Sequence, residues 1–386
     1  MTKPPPAIAF SHIKGLDGLR GLLALFIVIE HSWGIFFYSR RLHEGRNLFE
    51  TAMYLGGRGA VLYFFTLSGF VMALSIHKNA VRNSGFRLWE FARSRLLRIL
   101  PPLFAAILLG WVLECWLASM HLTFFFRPDV HLPRTSFVFD FKKQFQSLIS
   151  FGFRGDLTGG VNGPLWSLKY EIQCYLLCGL ASYVAFARGA VWKRLVIGGL
   201  LYHFAHRIHF VLNQDMVCFS AFLSGWLVYW NQSRLTVLKM LQVLCIFFIP
   251  WFLSMLCTNL RGFNPCSNLD SSTWMKLNQI GAAILFAFSQ MPLQRNTVLS
   301  RLKFIGDFSY TLYITHYLLL IFVAFVLFSH VQSISFSMAL FLTVGMVLLA
   351  MAVAALIASV AEAPAALRYK DNLFTRLWRQ LSSEKQ

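Results

Sequence analysis

Stretches of about 20 predominantly apolar residues recur along the whole chain, at roughly 19–38, 54–77, 99–121, 165–187, 194–211, 215–230, 235–256, 274–291, 304–328 and 336–360. A run of that length crosses the hydrocarbon of a bilayer as a helix, which satisfies its backbone polar groups internally. The pattern therefore predicts an all-α integral membrane protein with about ten transmembrane helices. The fifth run is the most polar, because it carries Tyr202, His203, His206, Arg207 and His209. Composition agrees with a membrane protein, since 57% of the 386 residues are apolar and only 13% are charged. A soluble domain carries about twice that charge.

An even number of spans places both termini on one side, and most of the 35 Lys and Arg residues collect on that side. The densest cluster, between the second and third runs, holds Lys78, Arg82, Arg87, Arg93, Arg95 and Arg98. Basic residues stay cytoplasmic, so both termini are expected in the cytoplasm. Much of the +19 formal charge is then topology and attraction to anionic lipid headgroups, and no nucleic acid is needed as a partner. The first apolar run is too long for a signal-peptide core and has no small-residue cleavage site after it, so it is expected to stay as a span. Five cysteines lie inside predicted spans, where buried packing is their ordinary role, and no spacing suggests a metal site. Cys257 and Cys266 share a predicted outer loop in which a disulfide can persist. With no internal repeat or low-complexity tract, residues 1–386 are expected to form one membrane domain. The longest polar connection, about 122–164, has the Gly and Pro punctuation of irregular loop, and loops of that length often cover a binding cleft.

Ionisable groups inside apolar runs are expensive and usually functional. Arg20 and His31 lie eleven residues apart, which on a helix is a rise of about 16 Å with a return to within about 20° of the same stripe. One group then lies near a membrane face and the other near the bilayer middle. Neutral imidazole can take a hydroxyl proton, which makes His31 the best general base, with Glu30 beside it. Arg20 can hold a phosphate or carboxylate, or snorkel to headgroups, and Asp17 is placed to steady it. Ser68-Gly69 allows close helix packing, and Ser68 is also a possible nucleophile. Arg95 and Arg98 share a helix face where the third span begins, with Pro101 and Pro102 in its first turn, and two guanidinium groups there can grip a diphosphate. Lys169 and Glu171 enter the fourth span facing differently, so Glu171 needs another partner. Ser309, Tyr313 and His316 are spaced for one face of the ninth span, to line a cavity or bond between helices.

In order along the chain, Asp17-Gly18-Leu19-Arg20-Gly21 with His31, Phe64-Phe65-Thr66-Leu67-Ser68-Gly69-Phe70, Arg95-Leu96-Leu97-Arg98-Ile99-Leu100-Pro101, Leu165-Trp166-Ser167-Leu168 with Glu171, Ser309-Tyr310 to Tyr313 with His316, and Glu362-Ala363-Pro364 resemble the membrane acyltransferase-3 family. Its members use a ten-span domain to O-acylate sugars. The resemblance implies that His31 is the catalytic histidine, Arg20 its essential partner, and Arg95 with Arg98 the pair that handles the donor. Ser68, Glu171, Tyr310 and His316 match recurrent polar positions of the family. Lys169, Tyr170 and Thr315 depart from its pattern, which bears on acceptor choice. An appended SGNH-type domain, present in some members, is not expected here. The implied reaction moves acetyl or another short acyl group from acyl-CoA, with no tightly bound cofactor, to a hydroxyl of a surface polysaccharide or lipid-linked glycan. The expected location is the bacterial inner membrane. The competing class is a transporter of a small anionic or sugar substrate, for which paired repeats are the missing sign. A purely structural membrane subunit is a third option, disfavoured by its buried charges.

Overall fold

A computed structural model describes residues 14–38, 48–120, 140–155, 157–186, 191–206, 214–231, scattered positions between 279 and 293, 296–330 and 334–362. In chain order the helices are α1 (Lys14–Tyr38), α2 (Leu48–Arg82), α3 (Leu88–Ser119), α4 (Phe141–Ile149), α5 (Trp166–Phe186), α6 (Val191–His206), α7 (Gln214–Asn231), α8 (Thr297–Arg301), α9 (Lys303–Asp307), α10 (Ser309–His330) and α11 (Phe336–Ala361). There is no strand among the described residues. The helices α1, α2, α3, α10 and α11 are long and apolar enough to cross a membrane. The fourth to sixth apolar runs are also helical, as α5, α6 and α7, though α6 is only 16 residues long and α5 carries Lys169 and Glu171. The seventh run and the loop bearing Cys257 and Cys266 lie outside the described residues.

Contacts between helices fix their relative directions. Arg20 of α1 meets Ser309 of α10 and His31 meets His316, so these two helices run parallel. The pair α3 and α10 is parallel too, with Tyr310 reaching Ile99 at one end and Trp116 packing on Phe322 further along. In the opposite sense, α5 is antiparallel to α3, because Arg95 lies over Tyr175 while Phe91 abuts Gly179. The last helix returns along α10, so that Glu362, just past its end, caps Thr311 near the start of α10. Helices α2 and α7 run together, matching Gly69 to Phe222 and His77 to Tyr229. The end at which α7 finishes is therefore the end at which α1 and α10 begin.

Two glycine contacts hold the crossing of α2 and α7. A Cβ added at Gly69 would sit 1.9 Å from the Phe222 carbonyl oxygen, and one added at Gly225 would sit 1.9 Å from the Thr66 carbonyl oxygen. Backbones approach this closely only without a side chain between them, the usual device for packing helices in lipid. This is the close-packing role expected of Ser68-Gly69. Around the bundle, α11 turns Ala339, Thr343, Met346, Ala350, Ala354 and Ala358 inward and leaves Phe341, Leu348, Leu356 and Val360 exposed. Large apolar side chains outside and small ones inside suit a helix bathed in lipid rather than water.

Two local expectations are corrected. The third helix begins at Leu88 rather than near residue 99, so Pro101 and Pro102 are interior instead of lying in the first turn. The early start has a local cause: the Asn79 side chain accepts from Arg87 N at 2.8 Å and donates to Arg87 O, closing a short turn that launches the helix. Arg82 and Arg87 then bind Glu90 in its first turn. The connection 122–164 is not irregular throughout, since it contains α4, whose start is capped by Asp140 accepting from Lys143 N at 3.0 Å. That bond and Lys143 Nζ at 3.1 Å hold the Asp140 carboxyl below its ordinary range.

Substituting Gly69→Ala or Gly225→Ala is expected to destabilise the protein by about 1–3 kcal/mol or more through overpacking. Gly345→Ala, where an added Cβ meets nothing within 4 Å, should be neutral or slightly stabilising. Thermal unfolding of the three variants in detergent checks the contrast, and equal losses at all three would contradict it.

Candidate functional site

Arg20 joins the start of α1 to the start of α10. Its Nε donates to Ser309 Oγ at 2.9 Å and Nη2 donates to the Gly306 carbonyl at 2.9 Å, while Asp17 Oδ1 lies 3.4 Å away. Such reach requires near contact between backbones. An added Cβ would fall 1.8 Å from Leu299 O at Gly18, 2.6 Å from Gly306 N at Gly21 and 2.1 Å from Asp17 O at Gly306. The glycines flanking Arg20 thus let α1 settle against α8 and α9, and the arginine fastens the seam.

Further along the same stripe, His31 Nδ1 lies 2.9 Å from His316 Nε2. The ring centres are 5.2 Å apart and the planes differ by 7°. That separation is the N···N distance plus the two ring radii, so the imidazoles meet edge to edge in one plane, as a linear hydrogen bond requires. His316 is wholly buried, and its Nδ1 lies 3.1 Å from the Leu312 carbonyl. His31 is 30% exposed, with Glu30 Oε2 at 3.5 Å from its Nε2. Gly57 makes room for that carboxylate, since a Cβ there would lie 2.8 Å from it. Tyr317 packs edge-on against His31 with ring centres 5.3 Å apart.

A cavity opens beside the Arg20 seam, lined by Asp17, Arg20, Ser68, Arg98, Ser167, Glu171, Tyr175, Ser309, Tyr310 and Tyr313 together with apolar residues that include Phe64. In it Glu171 accepts from Ser68 Oγ at 2.8 Å and from the Tyr175 hydroxyl, and the two hydroxyls lie 2.8 Å apart. The partner that Glu171 needed is therefore a pair of hydroxyls. Lys169 turns away, over the Tyr170 ring. Tyr313 donates to the Pro164 carbonyl at 3.0 Å and lies 2.7 Å from Ser167 Oγ. Its ring meets Phe64 on one side and His316 on the other, with centres 5.8 and 6.0 Å away. Phe64 and Tyr313 thus form the wall between the cavity and the histidine pair.

The fold gathers most of the residues singled out in the sequence, in two adjoining groups. Arg20, Arg98, Ser68, Glu171 and Tyr310 line the cavity, and His31 with His316 lies behind its Phe64–Tyr313 wall. The Arg95 and Arg98 pair divides: Arg98 lines the cavity, whereas Arg95 bonds Ser75 Oγ and lies over the rings of Phe91 and Tyr175. Sequence reasoning missed Tyr175, although its spacing of four from Glu171 on one helix was the available signal. It also left Glu362 without a role, and that carboxylate accepts from both Thr311 N and Thr311 Oγ1.

Residues 13–358 match the acyltransferase domain family. The chain is also similar to an O-acetyl transferase of Shigella phage Sf6, 28% identical over 170 residues that cover 43% of this chain and 44% of that protein. The match thus spans less than half of that relative's length. No solved structure matches. Since the family match runs from before Arg20 to beyond the middle of α11 and takes in both groups of site residues, the chain belongs to the acyltransferase-3 family.

Proposed function

We propose that the protein is a membrane O-acyltransferase that moves acetyl, or another short acyl group, from acyl-CoA to a sugar hydroxyl of a surface polysaccharide or lipid-linked glycan. The observation that carries this reading is two guanidinium groups, Arg20 and Arg98, in one cavity whose lining residue Tyr313 packs against His316, the hydrogen-bond partner of His31. An acyl-CoA carries phosphates at one end and a thioester at the other. Arginines bind the first by charge-assisted hydrogen bonds. With the N-terminus cytoplasmic, the start of α1 and the cavity beside Arg20 face the cytoplasm, where acyl-CoA is made.

In this mechanism His31 Nε2 removes the proton from the acceptor hydroxyl as its oxygen attacks the thioester carbonyl. The C–S bond breaks, the new ester forms, and the proton passes from the imidazolium to the departing CoA thiolate. Glu30, 3.5 Å from Nε2, supports the imidazolium while it carries both protons. A site poor in water strengthens that support. The acceptor glycan is proposed to reach His31 from the opposite side of the bacterial inner membrane.

Purified protein incubated with radiolabelled acetyl-CoA and a cell-envelope glycan fraction should place label in an alkali-labile glycan ester. His31→Ala should lower the rate by about 10²–10⁴-fold, the range of a lost general base, and an undiminished rate would remove His31 from the chemistry. Arg98→Ala should raise the KM for acetyl-CoA about ten- to a hundredfold through the loss of a charged hydrogen bond. A change confined to the glycan KM would contradict the donor assignment.

A further inference from the structure

We infer that His316 is a positioning residue that fixes the tautomer of His31, leaving the lone pair of His31 on Nε2. The inference rests on the reading of His31 as general base and names the residue that holds its ring and sets its proton. A carbonyl oxygen can only accept, so the 3.1 Å approach of His316 Nδ1 to Leu312 O places a proton on that nitrogen. Neutral imidazole carries one N–H, and His316 Nε2 is then an acceptor. The nitrogen facing it at 2.9 Å, His31 Nδ1, must therefore be the donor. His31 Nε2 is left unprotonated and able to take a proton.

The opposite arrangement is disfavoured on the same geometry. A proton on His31 Nε2 would put a lone pair on Nδ1 and require His316 to donate through Nε2. His316 Nδ1 would then turn a lone pair toward the Leu312 oxygen inside a residue with no exposed surface, an unpaired polar contact in a buried place. Packing keeps the rings in register: Tyr313 and Tyr317 flank His316 with centres at 6.0 and 6.3 Å. The Glu30 carboxylate lies 3.5 Å from Nε2, longer than a normal hydrogen bond, so it does not fix a proton there and is the charged group that meets the imidazolium once Nε2 has accepted the substrate proton. The relay itself neither gains nor loses a proton, because both Nδ1 hydrogens stay in place through the reaction.

The test uses the full chain and three variants, His316→Phe, His316→Gln and His31→Ala. Phenylalanine fills the buried volume without an acceptor, whereas glutamine can accept from His31 Nδ1 and donate to Leu312 O. His316→Phe should lower kcat about 10²–10³-fold, within the range of a mis-set base, with the acetyl-CoA KM unchanged. His316→Gln should restore at least about a tenth of the parent kcat. In protein labelled with ¹⁵N-histidine, the neutral form of His31 should show a protonated Nδ1 and a bare Nε2, and the His316→Phe spectrum should lose that preference. Parent-level kcat in His316→Phe beside an inactive His31→Ala would overturn the role of His316 alone, whereas an active His31→Ala would overturn the general-base reading. If both His316 variants are inactive, the spectrum decides, and a bare Nε2 persisting in His316→Phe would overturn the inference.

Discussion

A guanidinium inside an apolar helix bundle must find acceptors, and the architecture of the site follows from where Arg20 finds them. Its bonds to Gly306 O and Ser309 Oγ cross from α1 to the start of α10 and are possible because Gly18, Gly21 and Gly306 remove the side chains that would separate the backbones. Once that end is fastened, the two parallel helices carry His31 and His316 along together until their ring edges meet. A side-chain bond near one end of the helix pair thus sets the geometry of a second bond two to three turns away.

The polar groups of one cavity lie beside the histidine pair, apart from it. Asp17, Arg20, Arg98 and Ser309 line the cavity together with the hydrogen-bonded Ser68, Tyr175 and Glu171. The aromatic wall of Phe64 and Tyr313 comes next, and beyond it the coplanar histidines. Arg20 finds acceptors in Ser309 Oγ and Gly306 O, and Glu171 finds donors in Ser68 and Tyr175, as a low-dielectric surrounding demands.

Much of this was legible before the fold was known, because periodicity is local. The stripe joining Arg20 to His31 followed from helical geometry, and the spacing of Ser309, Tyr313 and His316 already put them on one face. What the sequence did not reveal was which stripe meets which, since the Arg20–Ser309 and His31–His316 bonds join residues 289 and 285 positions apart. The early start of α3 was hidden because its first turns are charged and fall outside the apolar run. Asn79 and Glu90, which set that start, act through side-chain geometry that composition does not record. The helix α4 escaped notice because it is only nine residues long, although its Asp140 cap and the helical spacing of Phe141, Phe145, Leu148 and Ile149 marked it.

The central claim is that the Arg20–Arg98 cavity presents an acyl thioester to an acceptor hydroxyl that His31 deprotonates. It is tested most directly by the structure of the protein with a non-hydrolysable acyl-CoA analogue bound. The account predicts phosphate groups against Arg20 and Arg98 and the acyl carbonyl at the Phe64–Tyr313 wall, within reach of His31 Nε2 after a local movement of that wall. An analogue seated elsewhere on the protein, or one whose phosphates lie against the wall with its acyl end at the arginines, would contradict it.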